Sequence, residues 1–88
     1  MADIYNARVT VISQKGHCAA GHKVGDQWEM GIKVPEGLCG FAVYSLLHIA
    51  EVLQFGGTFP WEADPDVAKV ACPDADNPVV FEIRRFRA

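Results

Sequence analysis

Three cysteines and one histidine are the residues of this chain whose types and positions could support chemistry. Cys18 and His22 form a Cys-x3-His pair in a glycine-bearing loop, where a short turn can present a thiolate and an imidazole to one ion. Cys39 lies near the start of a predicted helix, where unpaired backbone N–H groups and the helix dipole favour a thiolate. Cys72 ends a predicted strand, just before a Pro-Asp turn. Side chains at such positions can meet in a shared site at one end of a sheet.

Cys18, His22, Cys39 and Cys72 together have the composition of a closed zinc site with three thiolates and one imidazole. Zinc takes four such ligands, with Zn–S distances near about 2.3 Å and Zn–N distances near about 2.0–2.1 Å. The chain has no Cys-x2-Cys knuckle, so the prediction depends on the fold. If Cys39 does not bind, the open position could hold water or a substrate. An iron–sulfur cluster fits less well, because such clusters commonly use four cysteines.

Two other interpretations use the same residues differently. Cys18 could be a nucleophile or redox thiol with His17 or His22 as its base, although no third orienting group is evident. Alternatively, Cys39 and Cys72 could be small core residues, since free cysteine is among the most buried residue types. The sequence leaves these alternatives to metal binding open.

A fourth interpretation is a metal-free accessory module that docks on a partner protein. Its contact surface would be the predicted helix together with the loop that carries Phe59 and Trp61. The commoner role of these two aromatic residues is to cover a core.

His48 falls on the polar face of the helix and is expected to be a solvated or partly buried structural residue.

The composition indicates one small domain over residues 1–88. Half of the 88 residues are hydrophobic, which is ample for one core and argues against disorder. The net charge of −3 argues against a nucleic-acid partner, because such proteins carry a basic excess that neutralises phosphates. The one basic cluster, formed by Arg84, Arg85 and Arg87, is expected to be a frayed polar tail.

The sequence also predicts neither a membrane partner nor secretion. No stretch approaches the roughly 20 apolar residues that a membrane span requires, and the first residues do not read as a signal peptide. An odd number of cysteines makes a disulfide framework improbable. A reducing, cytoplasmic setting is therefore expected.

Periodicity predicts the elements that must position the candidate residues. Alternating β-branched and aromatic residues predict strands over 7–13, 27–33, 68–72 and 79–85, and a change of period predicts a helix over 38–54. The order ββαββ implies an α+β fold, with an antiparallel sheet and one helix packed on one face. The apolar stripe of the helix is wider than one sheet contact needs. Either a homodimer contact or the loop 56–65 folding back would cover the excess.

Three motifs resemble those of a prokaryotic family of very small proteins that has no established function. They are the run His17–Asp26 (HCAAGHKVGD), the run Pro35–Cys39 (PEGLC) and the closing run Phe59–Glu82, which contains FPWE, DPD, ACPD and NPVVFE. The likeness covers nearly the whole chain and is specific in its combination of motifs. The resemblance implies a stand-alone protein and brings no assigned reaction.

Overall fold

Four strands and one helix make up the regular structure of residues 4–87, the part of the chain that this computed structural model describes. In chain order they are β1 (Asn6–Gln14), β2 (Gln27–Met30), α1 (Gly40–Gln54), β3 (Val67–Ala71) and β4 (Val79–Phe86). The strands form one antiparallel sheet in the order β2-β1-β4-β3, with α1 packed against β3, β4 and β1. The predicted α+β fold with ββαββ order is confirmed.

The core lies between α1 and one face of the two central strands. Val9 pairs with Ile83 and Val11 pairs with Phe81 across β1 and β4. All four side chains are buried, as alternation along a half-buried strand requires. The helix contributes residues at helical spacing to the same cluster: Ala42, Leu46, Ala50 and Leu53. The alternation along β1 and β4 therefore identified their core-facing positions correctly, whereas Phe41, Leu47 and Val52 of the predicted apolar helix stripe are exposed.

Strand β2 ends at Met30, three residues earlier than the sequence predicts. Met30 pairs with Ala7 of β1, so continuation of β2 would need Tyr5 as the partner of Ile32. The Tyr5 N–H instead donates to the Gln54 carbonyl oxygen at 2.9 Å. The predicted strand over 27–33 is therefore wrong for residues 31–33, and Ile32 is exposed.

Backbone geometry at both ends fixes the length of α1. Cys39 is the N-cap residue with extended dihedral angles, φ −56° and ψ 132°, so the helix begins at Gly40 and not at residue 38. At the other end, Gly56 adopts φ 88°, which a residue with a Cβ atom rarely adopts. Its N–H donates to the Leu53 carbonyl and the Gly57 N–H donates to the Val52 carbonyl, which is the Schellman arrangement.

Two of the C-terminal arginines belong to β4, and the prediction of a frayed tail is wrong for them. The Arg84 guanidinium donates to Asp64 Oδ2 at 3.0 Å, and Arg85 Nε donates to Asp66 Oδ1 at 2.9 Å. The Arg85 side chain is only 8% exposed, and it also donates to the Leu53 carbonyl in the last turn of α1 and to the Gly57 carbonyl after the helix. The acidic loop before β3 thus neutralises these arginines.

The outward face of α1 carries large apolar side chains that the rest of the described chain leaves exposed. Phe41 and Tyr44 are 75% and 80% exposed. The loop that follows the helix does not cover them: Phe59 packs against the core, whereas the Trp61 ring lies tilted against Phe59 and is 72% exposed. The prediction that Trp61 covers the core is wrong, and folding back of the loop does not account for the wide apolar stripe.

Candidate cysteine-lined cavity

All four residues predicted as metal ligands line one cavity. Its volume is about 280 Å³, and Cys18, His22, Cys39 and Cys72 all lie in its wall. The loop after β1 supplies the first two, the N-cap of α1 supplies the third and the residue that follows β3 supplies the fourth. The antiparallel topology places these element ends at the same end of the sheet. The fold thus brings the four residues to one cavity, and their role as metal ligands stays a prediction.

His22 connects the loop after β1 to the start of the helix. Its side chain is buried, and its Nε2 accepts a hydrogen bond from the Cys39 backbone N–H at 3.0 Å. In a neutral imidazole this acceptor role puts the proton on Nδ1. The ring also lies 4.7 Å from the Trp28 ring and 6.4 Å from the Phe81 ring, measured between centroids. His22 is therefore fixed by both polar and aromatic contacts.

Cys39 occupies the N-cap position without capping the helix through its side chain. Serine or aspartate at an N-cap accepts a hydrogen bond from a first-turn N–H group. The Cys39 side chain makes no such bond, while its carbonyl accepts from the Val43 N–H at 3.0 Å. The thiol is partly buried and packs against the core cluster at the cavity wall. The backbone of Cys39 is thus held on both sides, while its side chain takes no part in capping.

Cys72 is anchored at the point where β3 ends. Its N–H donates to the Val79 carbonyl at 2.9 Å, and its Sγ accepts from the Val79 N–H at 3.3 Å. The following turn is closed by Asp74, whose Oδ1 accepts from the N–H groups of Asp76 and Asn77. The interpretation of Asp74 as a turn former is confirmed.

Two hydrogen bonds shape the loop of Cys18. The Cys18 carbonyl accepts from the Gly21 N–H at 2.9 Å, which forms the turn between Cys18 and His22. Further along, Asp26 Oδ2 accepts from the Lys23 N–H at 3.0 Å, and this bond holds the pKa of the Asp26 carboxyl below its ordinary value. Lys23 and Asp26 therefore shape the entry into β2.

The remaining wall of the cavity is mostly apolar. Phe41, Ala42, Val79 and Phe81 contribute to it, together with Asn77 at the polar side. Sequence reasoning did not connect Asn77 with the site. Asn77 Oδ1 accepts a hydrogen bond from the His17 N–H at 2.8 Å and so ties the turn after Cys72 to the loop of Cys18. The available clue was the run of turn-forming residues after Cys72, which reads Pro-Asp-Ala-Asp-Asn-Pro over residues 73–78.

The donor types suit zinc, but the side chains are not arranged as a coordination shell. Among residues 4–87, no group of three or more His, Cys, Asp or Glu side chains is placed so that it could hold a metal ion. All three cysteines are free thiols. The cavity thus gathers ligand-type residues without presenting a preformed metal centre.

Comparison with protein-family models, curated proteins and solved structures gave no match to this chain. Within residues 4–87, the helix is too short to cross a membrane. The site itself therefore supplies the functional argument.

Proposed function

We propose that this protein binds a metal ion, zinc in the first place, in the cysteine-lined cavity. The observation that supports the proposal is that Cys18, Cys39 and Cys72 come from three separate segments of the chain and line one cavity. Thiolates are preferred ligands of zinc, and three of them with an imidazole nearby form a common zinc donor set. Free thiols also suit a reducing compartment, and we propose that this compartment is the cytoplasm.

Binding requires the thiols to turn toward a common point. A cysteine side chain does this by changing its χ1 rotamer, which leaves the backbone in place. Such changes are within reach because the cavity, at about 280 Å³, leaves room beside the side chains. His22 is more constrained, because its Nε2 already accepts the Cys39 N–H. A neutral imidazole that accepts through Nε2 carries its proton on Nδ1, so His22 would either give up this hydrogen bond to bind the ion or serve only to hold Cys39 beside it.

Zinc titration of the reduced, metal-free protein against a chromogenic chelator tests this function. We expect one zinc ion per chain, with affinity reduced at least tenfold in Cys18→Ser and Cys72→Ser. Cys72→Ser is informative because a hydroxyl can still accept from the Val79 N–H, so the fold is retained. The same titration of His22→Ala tests the histidine. His17→Ala is its matched control, because His17 is exposed and does not line the cavity. Wild-type zinc affinity in both cysteine variants would contradict the proposal.

A second candidate is thiol chemistry on a small apolar molecule. The observation that favours it is the size and character of the cavity, which approaches the lower end of the roughly 300–1,000 Å³ range of small-molecule sites and has mostly apolar walls. Cys18 would be the reactive thiol. Under this alternative, Cys18 is alkylated rapidly in metal-free protein, and zinc gives the three thiols no protection.

A third candidate is a module that docks on a partner protein through the Phe59–Trp61 loop. The 72% exposure of Trp61 favours it, because a large aromatic side chain gains free energy when a partner covers it. Trp61→Ala should then weaken partner capture without changing zinc content. Loss of zinc binding in Trp61→Ala would contradict this separation of the two surfaces.

A further inference from the structure

Five residues form a continuous stripe along the outward face of α1. Phe41 and Tyr44 are 75% and 80% exposed, Val52 and Phe55 are 38% and 64% exposed, and His48 between them is also exposed. Phe55 directly follows the helix, and its N–H still donates to the Glu51 carbonyl, so it continues the helical path. We call these five residues the outer stripe.

Helix geometry places the whole outer stripe in one narrow sector. At roughly 100° per residue, Phe41 and Phe55 fall about 20° from the direction of His48, and Tyr44 and Val52 fall about 40° from it. The core-facing residues Leu46 and Ala50 fall on the opposite side of the helix, about 160° away. The stripe therefore faces away from the sheet, where a surface helix is usually polar, although Phe41 at its first position also lines the cavity.

The spacing of the outer stripe is symmetric about His48. Phe41 and Phe55 lie seven positions before and after it, and Tyr44 and Val52 lie four positions before and after it. Such a pattern suits an isologous twofold contact, in which one residue of the first copy meets a second residue of the other copy and the reverse pair forms as well. When two antiparallel helices are related by a twofold axis that passes through position 48, Phe41 of one copy lies opposite Phe55 of the second copy.

The two halves of the stripe also interdigitate in that arrangement. Phe41 and Val52 deviate to one side of the His48 direction, whereas Tyr44 and Phe55 deviate to the other. The twofold rotation leaves each residue on its own side of the His48 direction and reverses its position along the helix axis. Tyr44 of one copy and Val52 of the other then lie side by side at the same level, so their side chains fill adjacent positions and do not collide.

We propose that the outer stripe is the contact surface for a second copy of this chain, packed antiparallel about a twofold axis at His48. Burial of three large aromatic side chains from each copy supplies the hydrophobic free energy. This inference does not depend on the function of the cavity. Phe41 belongs to both surfaces, since it also lines the cavity, and the second copy's Phe55 therefore comes to the cavity mouth.

Sedimentation equilibrium of the wild-type protein and of Tyr44→Ser tests the surface. At about 0.1 mM chain the wild type should be mainly dimeric, as a micromolar Kd requires. Tyr44→Ser should raise the Kd about tenfold or more, because it removes an aromatic contact near the middle of the interface. Trp61→Ser is the matched control, with comparable exposure outside the stripe, and should leave the Kd unchanged. A monomeric wild type, or equal effects of the two variants, would overturn the proposal.

A charge swap at His48 tests the symmetry itself. On the axis, position 48 meets its own copy, so His48→Glu and His48→Lys each place like charges together and should each be monomeric. An equimolar mixture of the two should form a heterodimer, which native mass spectrometry distinguishes by mass. Both variants keep an exposed polar residue on the helix, so circular dichroism should match the wild type. Failure of the mixture to associate, or dimers of either variant alone, would show that position 48 is not on the axis.

Discussion

His22 joins the loop of Cys18 to the start of α1 through a single hydrogen bond. The imidazole is buried between Trp28 and Phe81, and its Nε2 accepts the Cys39 N–H. Its Cys-x3-His spacing marked it as a metal ligand, whereas its contacts give it a structural task that stands with or without an ion. One residue can therefore determine both where the Cys39 thiol lies and how stable the cavity wall is.

Replacement of His22 by alanine should destabilise the metal-free protein. The change leaves the Cys39 N–H without its acceptor and opens space beside Trp28, for a combined cost of about 2–4 kcal/mol. His17→Ala, at the neighbouring exposed histidine, should stay within about 0.5 kcal/mol of wild type. Urea denaturation followed by circular dichroism measures both variants. Equal stability of His22→Ala and His17→Ala would contradict the structural role of His22.

At the scale of elements, the cavity exists because the loop after β1 meets the turn after β3. Gly16 lies against the Asn77 side chain, and Asn77 Oδ1 accepts the His17 N–H. A Cβ atom at Gly16 would collide with the Asn77 side chain, whereas a Cβ atom at Gly21 would meet open space. Both glycines have positive φ, so these two positions share the backbone strain and differ only in the contact.

Gly16→Ala should therefore destabilise the protein more than Gly21→Ala. Strain at positive φ costs each variant about 1–2 kcal/mol. Only Gly16→Ala must also displace Asn77 and break its hydrogen bond, which adds about 1–3 kcal/mol. The difference between the two variants in thermal unfolding measures the contact between loop and turn. No difference between them would mean that the loop does not rest on the turn in solution.

The loop before β3 is attached to β4 by a charged pair that responds to pH. Asp64 accepts from the Asp66 backbone N–H at 2.9 Å and from the Arg84 guanidinium at 3.0 Å. The Asp66 N–H first and Arg84 second lower the pKa of the Asp64 carboxyl. Because the unfolded chain takes up the proton more readily, this contribution is present above about pH 4 and is lost as the pH falls through the lower folded-state pKa.

Asp64→Asn should accordingly lower the melting temperature at pH 7, and its difference from wild type should shrink toward pH 2–3. Asp76→Asn, which removes the same charge from an exposed position in the next turn, serves as the control. Calorimetric scans over this pH range provide the measurement. A difference between Asp64→Asn and wild type that is constant with pH would contradict the linkage.

Periodicity predicted those elements whose positions depend on burial, and it failed where tertiary contacts decide. Val9, Val11, Phe81 and Ile83 alternate because one face of the sheet is buried. The early end of β2 could not be predicted, since it depends on which backbone group pairs with Tyr5. In the cavity, Cys39 and Cys72 were predicted from their places at element ends, and Cys18 and His22 from their spacing in a loop. Asn77 was missed because its hydrogen bond to the His17 N–H spans sixty residues.

At the scale of the whole molecule, residues 4–87 form one helix layer on one sheet layer, and the smallest dimension is 20 Å. Two layers of this size bury a modest core, so small domains often draw stability from a metal or a second copy. The cavity and the outer stripe lie at places where each of these could act. Stabilisation by zinc should therefore increase with the zinc concentration, and stabilisation by a second copy should increase with the protein concentration.

Zinc should raise the melting temperature of the metal-free protein. A ligand that binds only the folded state stabilises it by about 2.7 kcal/mol at a free concentration of 100 times its Kd. For a chain of this size, that corresponds to roughly 10–20 °C. Magnesium is the control, because it prefers oxygen ligands. An equal shift with both ions, or none with zinc, would argue against a thiolate site.

The most direct test of the zinc site is elemental analysis of untagged protein purified without chelators and under low oxygen, with protein quantified on the same sample. We predict close to one zinc ion per chain in the wild type and in His17→Ala, and a large loss of zinc in Cys18→Ser and Cys72→Ser. Detection of iron and sulfide in place of zinc would contradict the zinc site and indicate an iron–sulfur cluster. Folded, stable wild-type protein that contains no metal would contradict the account.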